Sequence, residues 1–196
     1  AMPNPKIEEL HYIAPISNIS SILQRGILCH NEAIKLPHID ISMNEIQERR
    51  ANKKVPNGLN LHDYANLYFD AHNPMLSRRR DQNSDICILR INTDVFNLHG
   101  VVLADQNASA DFVRFYDYPS GLQNLDFHII FDPYWPSDDP FEHRLRKSIK
   151  CAEVLVPKRV PSEMIVGAYV CNRIAEGRLI QAGFALPIII KSSIFF

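Results

Sequence analysis

The chain has 196 residues, of which 46% are hydrophobic and 22% are charged, and its net charge is −1. A chain of this length buries roughly 70% of its unfolded surface, so a stable core needs no disulfide bonds. This composition excludes a uniformly basic protein that coats nucleic acid and also a disordered polyampholyte. The longest apolar run, 185–190, is far shorter than the roughly 20 residues of a membrane helix. Since no signal peptide opens the chain either, we expect a cytoplasmic protein without membrane contact.

The first elements that the sequence predicts are a strand at 10–14 and a helix that follows it. Ser17 and Asn18 are typical of the start of a helix, and Gly26 is typical of its end. The stretch 29–76 is polar and interrupted by prolines. Within that stretch we predict one short helix, at 43–54.

The remainder of the chain contains short runs rich in β-branched and aromatic residues, which are typical of strands. We predict strands at 86–91, 101–103, 127–130, 152–156, 165–170 and 188–190. Helices are predicted at 140–149 and at 172–182, the second ending at Gly183. Short strands with few helices between them indicate an α+β fold rather than a doubly wound sheet. We expect 3–196 to form one domain, preceded by Ala1 and Met2 as a remnant of cloning.

Two common kinds of site are disfavoured by the residues that would form them. The chain has seven glycines, and none belongs to a G-x-G-x-x-G or P-loop motif, so a bound nucleotide is not held by a glycine-rich loop. The four cysteines form no C-x-x-C pair and have no histidine at zinc-finger spacing, so we predict free buried thiols and no metal.

The basic residues are grouped although the total charge is balanced. The groups are Arg49, Arg50, Lys53 and Lys54; Arg78, Arg79 and Arg80; and Arg144, Arg146, Lys147 and Lys150. Each group alone is typical of a solvated surface, but three on one face would bind an anionic strand. Aromatic residues beside basic ones suit single-stranded nucleic acid, because bases stack while phosphates pair. The candidate nucleic-acid contacts are therefore Arg49, Lys53, Lys54, Arg78, Arg79, Tyr134, Trp135, Arg144, Arg146 and Lys147.

Glu153 stands at the start of a strand that continues with three apolar residues. A carboxylate there is costly unless it lies at a rim, is paired or has a function. By position alone, an exposed strand end or an ion pair with Lys158 or Arg159 explains it. His11 and Arg50 are equally ordinary when each is considered alone.

Taken together, five stretches of the sequence resemble the DarT family of DNA ADP-ribosyltransferase toxins. They are the strand and helix that begin at His11, the I-Q-E-R-R run at 46–50, the D-Y…Y-F…P-M-L run at 63–76, the pair Tyr134-Trp135, and the A-E-V-L-V-P run at 152–157. These stretches occur in the family's order and span most of the chain. The resemblance implies a single-domain ADP-ribosyltransferase fold, with a split, curved β core and peripheral helices around a cleft for NAD⁺.

The resemblance also implies residue roles, with NAD⁺ as substrate and no metal. Glu153 corresponds to the family's catalytic glutamate, Arg50 to its essential arginine, and His11 to the first-strand histidine that contacts the adenosine-side ribose. The other implied NAD⁺ contacts are Ile13, Asn18, Tyr64, Tyr68, Met75 and Leu76. The carboxylate suits a reaction in which positive charge develops on the ribose. The planar guanidinium suits either the pyrophosphate or the acceptor base.

The function implied by the resemblance is modification of a base in single-stranded DNA, by a monomeric toxin of the bacterial cytoplasm whose partner is a macrodomain antitoxin. The chain departs from the family's usual sequence at 65–67 and at 72–73, and 120–149, which in this superfamily meets the acceptor, has its own charge pattern. Thymine and guanine therefore both remain open as acceptors. The alternatives are an RNA or protein acceptor and a non-catalytic nucleic-acid-binding module. A metal-dependent nuclease is disfavoured, because Lys158 lies five residues beyond Glu153.

Overall fold

The computed structural model describes residues 5–37 and 44–196. Its strands are β1 (Leu10–Pro15), β2 (Ile27–Leu28), β3 (Tyr64–Tyr68), β4 (Ile86–Ile91), β5 (Val102–Ala104), β6 (Phe115–Asp117), β7 (Glu153–Pro157), β8 (Arg159–Val160), β9 (Ile165–Val170) and β10 (Ile188–Ile190). Its α-helices are α1 (Ile19–Arg25), α2 (His30–Ala33), α3 (Asn44–Ala51), α4 (Pro74–Ser77), α5 (Phe127–Ile130), α6 (Pro140–Lys150) and α7 (Arg173–Gln181). Short 3-10 turns complete the framework at Ile16–Asn18, Leu61–Asp63, Arg80–Asp85, Thr93–Asn97, Ser120–Asn124, Ser162–Met164 and Ser192–Ile194.

The main sheet has eight strands in the order β10-β9-β4-β1-β3-β7-β5-β6, and β2 pairs with β8 separately. Its neighbouring strands are antiparallel except for β10 and β9. The two halves of the sheet meet between β1 and β3, where the ladder has a single residue pair, His11 with Tyr68. By contrast, β1 pairs with β4 along its whole length. The sheet is therefore split in its middle, as the family resemblance implies, and the split leaves room for a cleft.

The largest apolar core lies on one face of this sheet. Alternate residues of the central strands point into it, among them Leu10, Leu67, Leu89 and Val154, all 0% exposed. Helices α1 and α7 cover this face with their own buried residues. Burying one such leucine stabilises the fold by about 1.5–3 kcal/mol, so the core fixes both halves of the sheet against shared helices.

Most elements predicted from the sequence are confirmed with small shifts of their ends. The predicted strands at 10–14, 86–91, 101–103, 152–156, 165–170 and 188–190 correspond to β1, β4, β5, β7, β9 and β10. The predicted helices correspond to α1, α3, α6 and α7, although Met43, at the start of the 43–54 prediction, lies outside the described residues. The predicted capping of α1 is wrong in detail. Asn18 precedes the helix inside a 3-10 turn, and its side chain makes no capping hydrogen bond.

The predicted strand at 127–130 is wrong, because these residues form α5. Asp126 caps this helix by accepting a hydrogen bond from the Ile129 backbone N–H at 3.1 Å. Phe127 and Ile130, three residues apart, are both buried while His128 between them is exposed, which is a helical pattern. Conversely, β3 lies in a stretch for which no strand was predicted.

The cysteines are present as thiols. All four cysteines are free; Cys29, Cys87 and Cys151 are buried, as predicted, while Cys171 is only half-buried. Burial raises the pKa of the Cys151 thiol to about 12, so it is an unreactive thiol at neutral pH.

Among the described residues, no helix combines the length and the apolar character needed to cross a membrane.

Candidate active site

The centre of the candidate site is a buried ion pair between Arg50 and Glu153. Arg50 Nη1 lies 3.2 Å from Glu153 Oε2, and Arg50 Nη2 lies 3.1 Å from Oε1, so the guanidinium grips both carboxylate oxygens. The Ala108 backbone N–H donates a third hydrogen bond to Oε2, at 2.6 Å. Glu153 is 1% exposed and Arg50 is 7% exposed. A charged pair so far from water is stable only with hydrogen bonds of this quality.

Both partners are placed by the elements that carry them. Glu153 is the first residue of β7, where its backbone lies between Tyr68 of β3 and Ala104 of β5. Arg50 lies in the last turn of the polar helix α3 and is the one buried residue of that helix. Burial raises the pKa of the Tyr68 hydroxyl well above its usual value, and the nearby Cys151 and Glu153 add to the effect. Tyr68 is therefore a neutral hydrogen-bonding group beside the carboxylate.

A cleft of about 210 Å³ opens at the split between β1 and β3. Its walls come from β1, β3, α1, α2, α3 and α4 and from the loop after β5. The lining side chains used below are Tyr12, Ile13, Asn18, His30, Gln47, Arg50, Asn66, Tyr68, Met75, Arg79 and Asn107. Arg50 therefore faces the cleft, and its partner Glu153 is not one of the lining residues.

Helix α4 shows how the local sequence shapes one wall of the cleft. Asn73 is fully buried and caps the helix, because its Oδ1 accepts hydrogen bonds from the backbone N–H groups of Met75 at 2.9 Å and Leu76 at 3.2 Å. Pro74 occupies the first helical position, where its missing N–H is harmless. The short helix turns Met75 into the cleft and Leu76 into the apolar core.

The structure brings together some of the predicted NAD⁺ contacts and not others. Ile13, Asn18, Tyr68 and Met75 line the cleft together with Arg50. Tyr64 and Leu76 do not; both are buried in apolar clusters. The hydroxyl of Tyr64 accepts a hydrogen bond from the Leu59 backbone N–H at 3.0 Å, so this side chain supports the neighbouring turn.

His11 is also absent from the walls of the cleft. Its Nδ1 accepts a hydrogen bond from the Ala71 backbone N–H at 3.1 Å, and its Nε2 lies 3.4 Å from a carboxylate oxygen of Glu9. Burial raises the pKa of Glu9, but His11 and Arg90 outweigh it and bring the pKa to about 2. His11 therefore belongs to a polar cluster with Glu9 and Arg90 and not to the cleft wall. The β1 side chains that line the cleft begin with the next residue, Tyr12.

Several lining residues were not predicted. Asn66, Gln47 and His30 are ordinary polar residues in the sequence and gave no signal of a shared site. The His30 ring stacks on His62 at 4.1 Å, and His62 Nε2 lies 2.8 Å from Gln47 Oε1, which joins α2 to α3 across one wall. The backbone N–H that binds Glu153, from Ala108, has no sequence signal at all. No cluster of three or more potential metal ligands occurs in 5–37 or 44–196.

Comparison with known proteins gives the family of this chain. A family model described as "ssDNA thymidine ADP-ribosyltransferase, DarT" matches residues 11–196. The chain belongs to the DarT family. A DNA ADP-ribosyl transferase from Thermus sp. (strain 2.9) is 32% identical over 173 residues, which are 82% of this chain and 80% of that protein. A DNA ADP-ribosyl transferase–DNA ADP-ribosyl glycohydrolase fusion protein from Thermosipho africanus (strain H17ap60334) is 29% identical over 98% of this chain, which spans about half of that relative (50%).

Solved structures of DarT proteins show the same fold. Thermus sp. 2.9 DarT in complex with ADP-ribosylated ssDNA has a TM-score of 0.85 at 26% identity, with 98% of each chain covered. The same protein in complex with NAD⁺ has a TM-score of 0.81 at 24% identity, over 99% of this chain and all (100%) of that one. The predicted family, the ADP-ribosyltransferase class of enzyme and the α+β fold with a split, curved sheet are therefore confirmed.

The DNA contacts that the DarT resemblance and the basic groups predict are not gathered at the cleft. Arg79 lines it, and Arg49, Lys54, Arg78, Tyr134 and Arg144 are exposed elsewhere on the surface. Lys147 is half-buried. Arg146 donates hydrogen bonds to Asp132 Oδ2 at 2.8 Å and to the Tyr134 carbonyl at 3.1 Å. Trp135 packs edge-on against His72, with 5.7 Å between ring centroids. Their role toward DNA stays a prediction.

One member of the third basic group has a different place from the others. Lys150 is 0% exposed and donates hydrogen bonds to the Ile130 carbonyl at 2.6 Å and to Asp70 Oδ2 at 3.1 Å. This lysine ties α6 to α5 and to the residues that follow β3. It is a structural cation inside the fold.

Proposed function

We propose that this chain transfers ADP-ribose from NAD⁺ to a thymidine base of single-stranded DNA. The observation that carries the proposal is the buried Arg50–Glu153 pair, which stands at the split of a DarT-family sheet beside an open cleft. The solved complex of Thermus sp. 2.9 DarT with ADP-ribosylated ssDNA supports DNA as the acceptor. The description of the family supports thymidine over guanine.

In the proposed reaction, the bond between nicotinamide and the ribose C1′ breaks, and neutral nicotinamide leaves with the bonding electrons. Positive charge develops on the ribose, and the Glu153 carboxylate stabilises it from the side of the 2′-hydroxyl. The acceptor then forms a bond to C1′. In thymidine N1 already carries the deoxyribose, so N3 is the ring nitrogen that attacks, and its proton is released.

Arg50 has two tasks in this proposal. It fixes the orientation of the Glu153 carboxylate, because its guanidinium binds both carboxylate oxygens, at 3.2 and 3.1 Å. It also faces the cleft, where its remaining N–H groups suit the pyrophosphate of NAD⁺ or the carbonyl oxygens that flank thymine N3. Arginine stays protonated in proteins, so its contribution to the loss of the N3 proton is electrostatic.

In this proposal Tyr12, which lines the cleft, contacts NAD⁺ in place of His11, to which the family resemblance gave that role. Tyr12→Ala is expected to raise the KM for NAD⁺ about tenfold, because the cleft loses an aromatic wall, and tenfold corresponds to about 1.4 kcal/mol. His11→Ala is expected to leave that KM within about twofold, since its ring faces Glu9 and Ala71. Steady-state kinetics on both variants checks this. A tenfold rise with His11→Ala and none with Tyr12→Ala would restore the prediction from sequence.

A partner that reverses the modification is also part of the proposal. The Thermosipho africanus relative joins a DNA ADP-ribosyl transferase to a DNA ADP-ribosyl glycohydrolase in one polypeptide. An enzyme that modifies the DNA of its own cell needs such a reversal. We therefore assign this chain as the toxin of a toxin–antitoxin pair whose antitoxin is a DNA ADP-ribosyl glycohydrolase.

Intact-mass analysis tests the proposed function. The chain is incubated with NAD⁺ and, separately, with a thymidine-containing DNA single strand, its duplex, the matching RNA and a strand without thymidine. We expect one added ADP-ribose on the thymidine-containing single strand alone, and fragmentation should place it on thymine. Addition to the strand without thymidine would correct the acceptor base. Addition to RNA alone would move the function to RNA.

A further inference from the structure

The loop 105–114, which joins β5 to β6, connects the candidate site to the surface. Near its start, Asn107 lines the cleft and the Ala108 N–H binds Glu153. Near its end, Phe112 is 86% exposed, which is the highest value among the large apolar side chains of the described residues. A short stretch of one loop therefore connects the group that holds the catalytic carboxylate to an aromatic ring in water.

The loop holds this ring in a defined place. Gln106 is 9% exposed, and its Nε2 donates a hydrogen bond to the Phe112 carbonyl at 3.3 Å. Ser148 Oγ in turn donates to Gln106 Oε1 at 2.7 Å, which fixes the loop to α6. Asp105 and Arg114 close the loop, since the Arg114 N–H donates to Asp105 Oδ1 at 2.9 Å. The backbone of Phe112 is thus anchored while its side chain is left unburied.

The charges beside the ring suit a nucleic-acid strand. The ammonium of Lys53 donates a hydrogen bond to the Ala110 carbonyl, two residues before Phe112. Burial lowers the pKa of Lys53, Asp111 raises it and Arg50 lowers it, so the lysine lies within electrostatic reach of both the loop and Arg50. A lysine near an exposed ring matches the pairing of phosphates and the stacking of bases that single strands require.

We propose that Phe112 stacks on an unpaired base of the DNA substrate, next to the thymidine that reacts. This inference rests on the proposed function. A base within a duplex is already stacked on both faces and offers no free face to the ring. Phe112 therefore favours single-stranded over double-stranded DNA in addition to increasing affinity.

The test compares steady-state kinetics of Phe112→Ala, Phe112→Trp and the unaltered chain with a thymidine-containing oligonucleotide at saturating NAD⁺. Hydrolysis of NAD⁺ without DNA is measured in parallel. The control is Phe141→Ala, since Phe141 is also exposed (67%) but lies in the first turn of α6. We expect Phe112→Ala to raise the KM for the oligonucleotide about tenfold, with kcat and NAD⁺ hydrolysis within about twofold. Phe112→Trp and Phe141→Ala should both keep the KM for the oligonucleotide that the unaltered chain has.

Two unfavourable results are distinguishable. If the unaltered chain and Phe112→Ala both modify DNA with the same KM for the oligonucleotide, the stacking inference is overturned. The proposed function is then unaffected. Hydrolysis of NAD⁺ by the unaltered chain without any DNA product would overturn the proposed function, and the inference with it. An equal rise of KM in Phe112→Ala and Phe141→Ala would show a general surface effect and also overturn the inference.

Discussion

Glu153→Gln is expected to slow the transfer of ADP-ribose to single-stranded DNA by about a thousandfold. Glutamine keeps the shape of the side chain and an oxygen that accepts the Ala108 N–H, but it removes the negative charge that the proposed function uses to stabilise the ribose. Removing one preorganised group that stabilises transition-state charge lowers kcat by about 10²–10³. The loss should appear in kcat, because the amide still reaches the ribose hydroxyl in the ground state.

The matched control for this variant is Glu163→Gln, an exposed glutamate that begins no strand and lies outside the cleft. It should transfer at the rate of the unaltered chain. Thermal unfolding of both variants separates loss of chemistry from loss of fold. A folded Glu153→Gln variant that keeps more than a tenth of the transfer rate would remove Glu153 from the catalytic role.

The Arg50–Glu153 pair shows how much of the candidate site could be predicted from the sequence. Arg50 and Glu153 were both named from the family resemblance, yet each is ordinary in its own neighbourhood. They lie 103 residues apart, and no local pattern shows that α3 and the start of β7 meet. The pairing follows from the packing of the whole sheet, so it becomes visible only in three dimensions.

His11 and Tyr12 show that a correctly predicted strand does not by itself give the side chains that line the cleft. Neighbouring residues of a strand point to opposite faces, yet the adjacent Tyr12 and Ile13 both line the cleft while His11 does not, so alternation along β1 does not identify the lining side chains. In β1 the usual signal is weak, because His11, Tyr12 and Ile13 are all half-buried. The sequence predicted the strand correctly, but it did not show which side chains of the strand reach the cleft.

Short elements were the other source of error. The apolar run at 127–130 has the composition of a strand, but one cap from Asp126 and the burial of two residues three apart make it a helix. The loop 105–114 has no periodic pattern, so neither the contact of Ala108 with Glu153 nor the exposure of Phe112 was predictable. The segment 120–149 contributes no residue to the described walls of the cleft, and its contact with the acceptor stays a prediction.

Arg50→Met is expected to destabilise the fold by about 3–5 kcal/mol, because it leaves the carboxylate of Glu153 buried without its counter-charge. The double variant Arg50→Met with Glu153→Gln removes both charges. It should be more stable than Arg50→Met alone by about 2 kcal/mol, since contacting partners couple by about 0.5–3 kcal/mol. Urea unfolding at neutral pH gives the free energy of unfolding of each variant.

Arg49→Met is the matched control, because Arg49 precedes Arg50 on the same helix and is exposed. Its effect on the free energy of unfolding should stay within about 0.5 kcal/mol. Additive losses in the double variant would show that the two side chains do not stabilise each other, and the contact would then serve chemistry alone. A double variant at least as stable as the unaltered chain, but without transfer, would show that the pair is costly to bury and is kept for the charge that the proposed reaction needs.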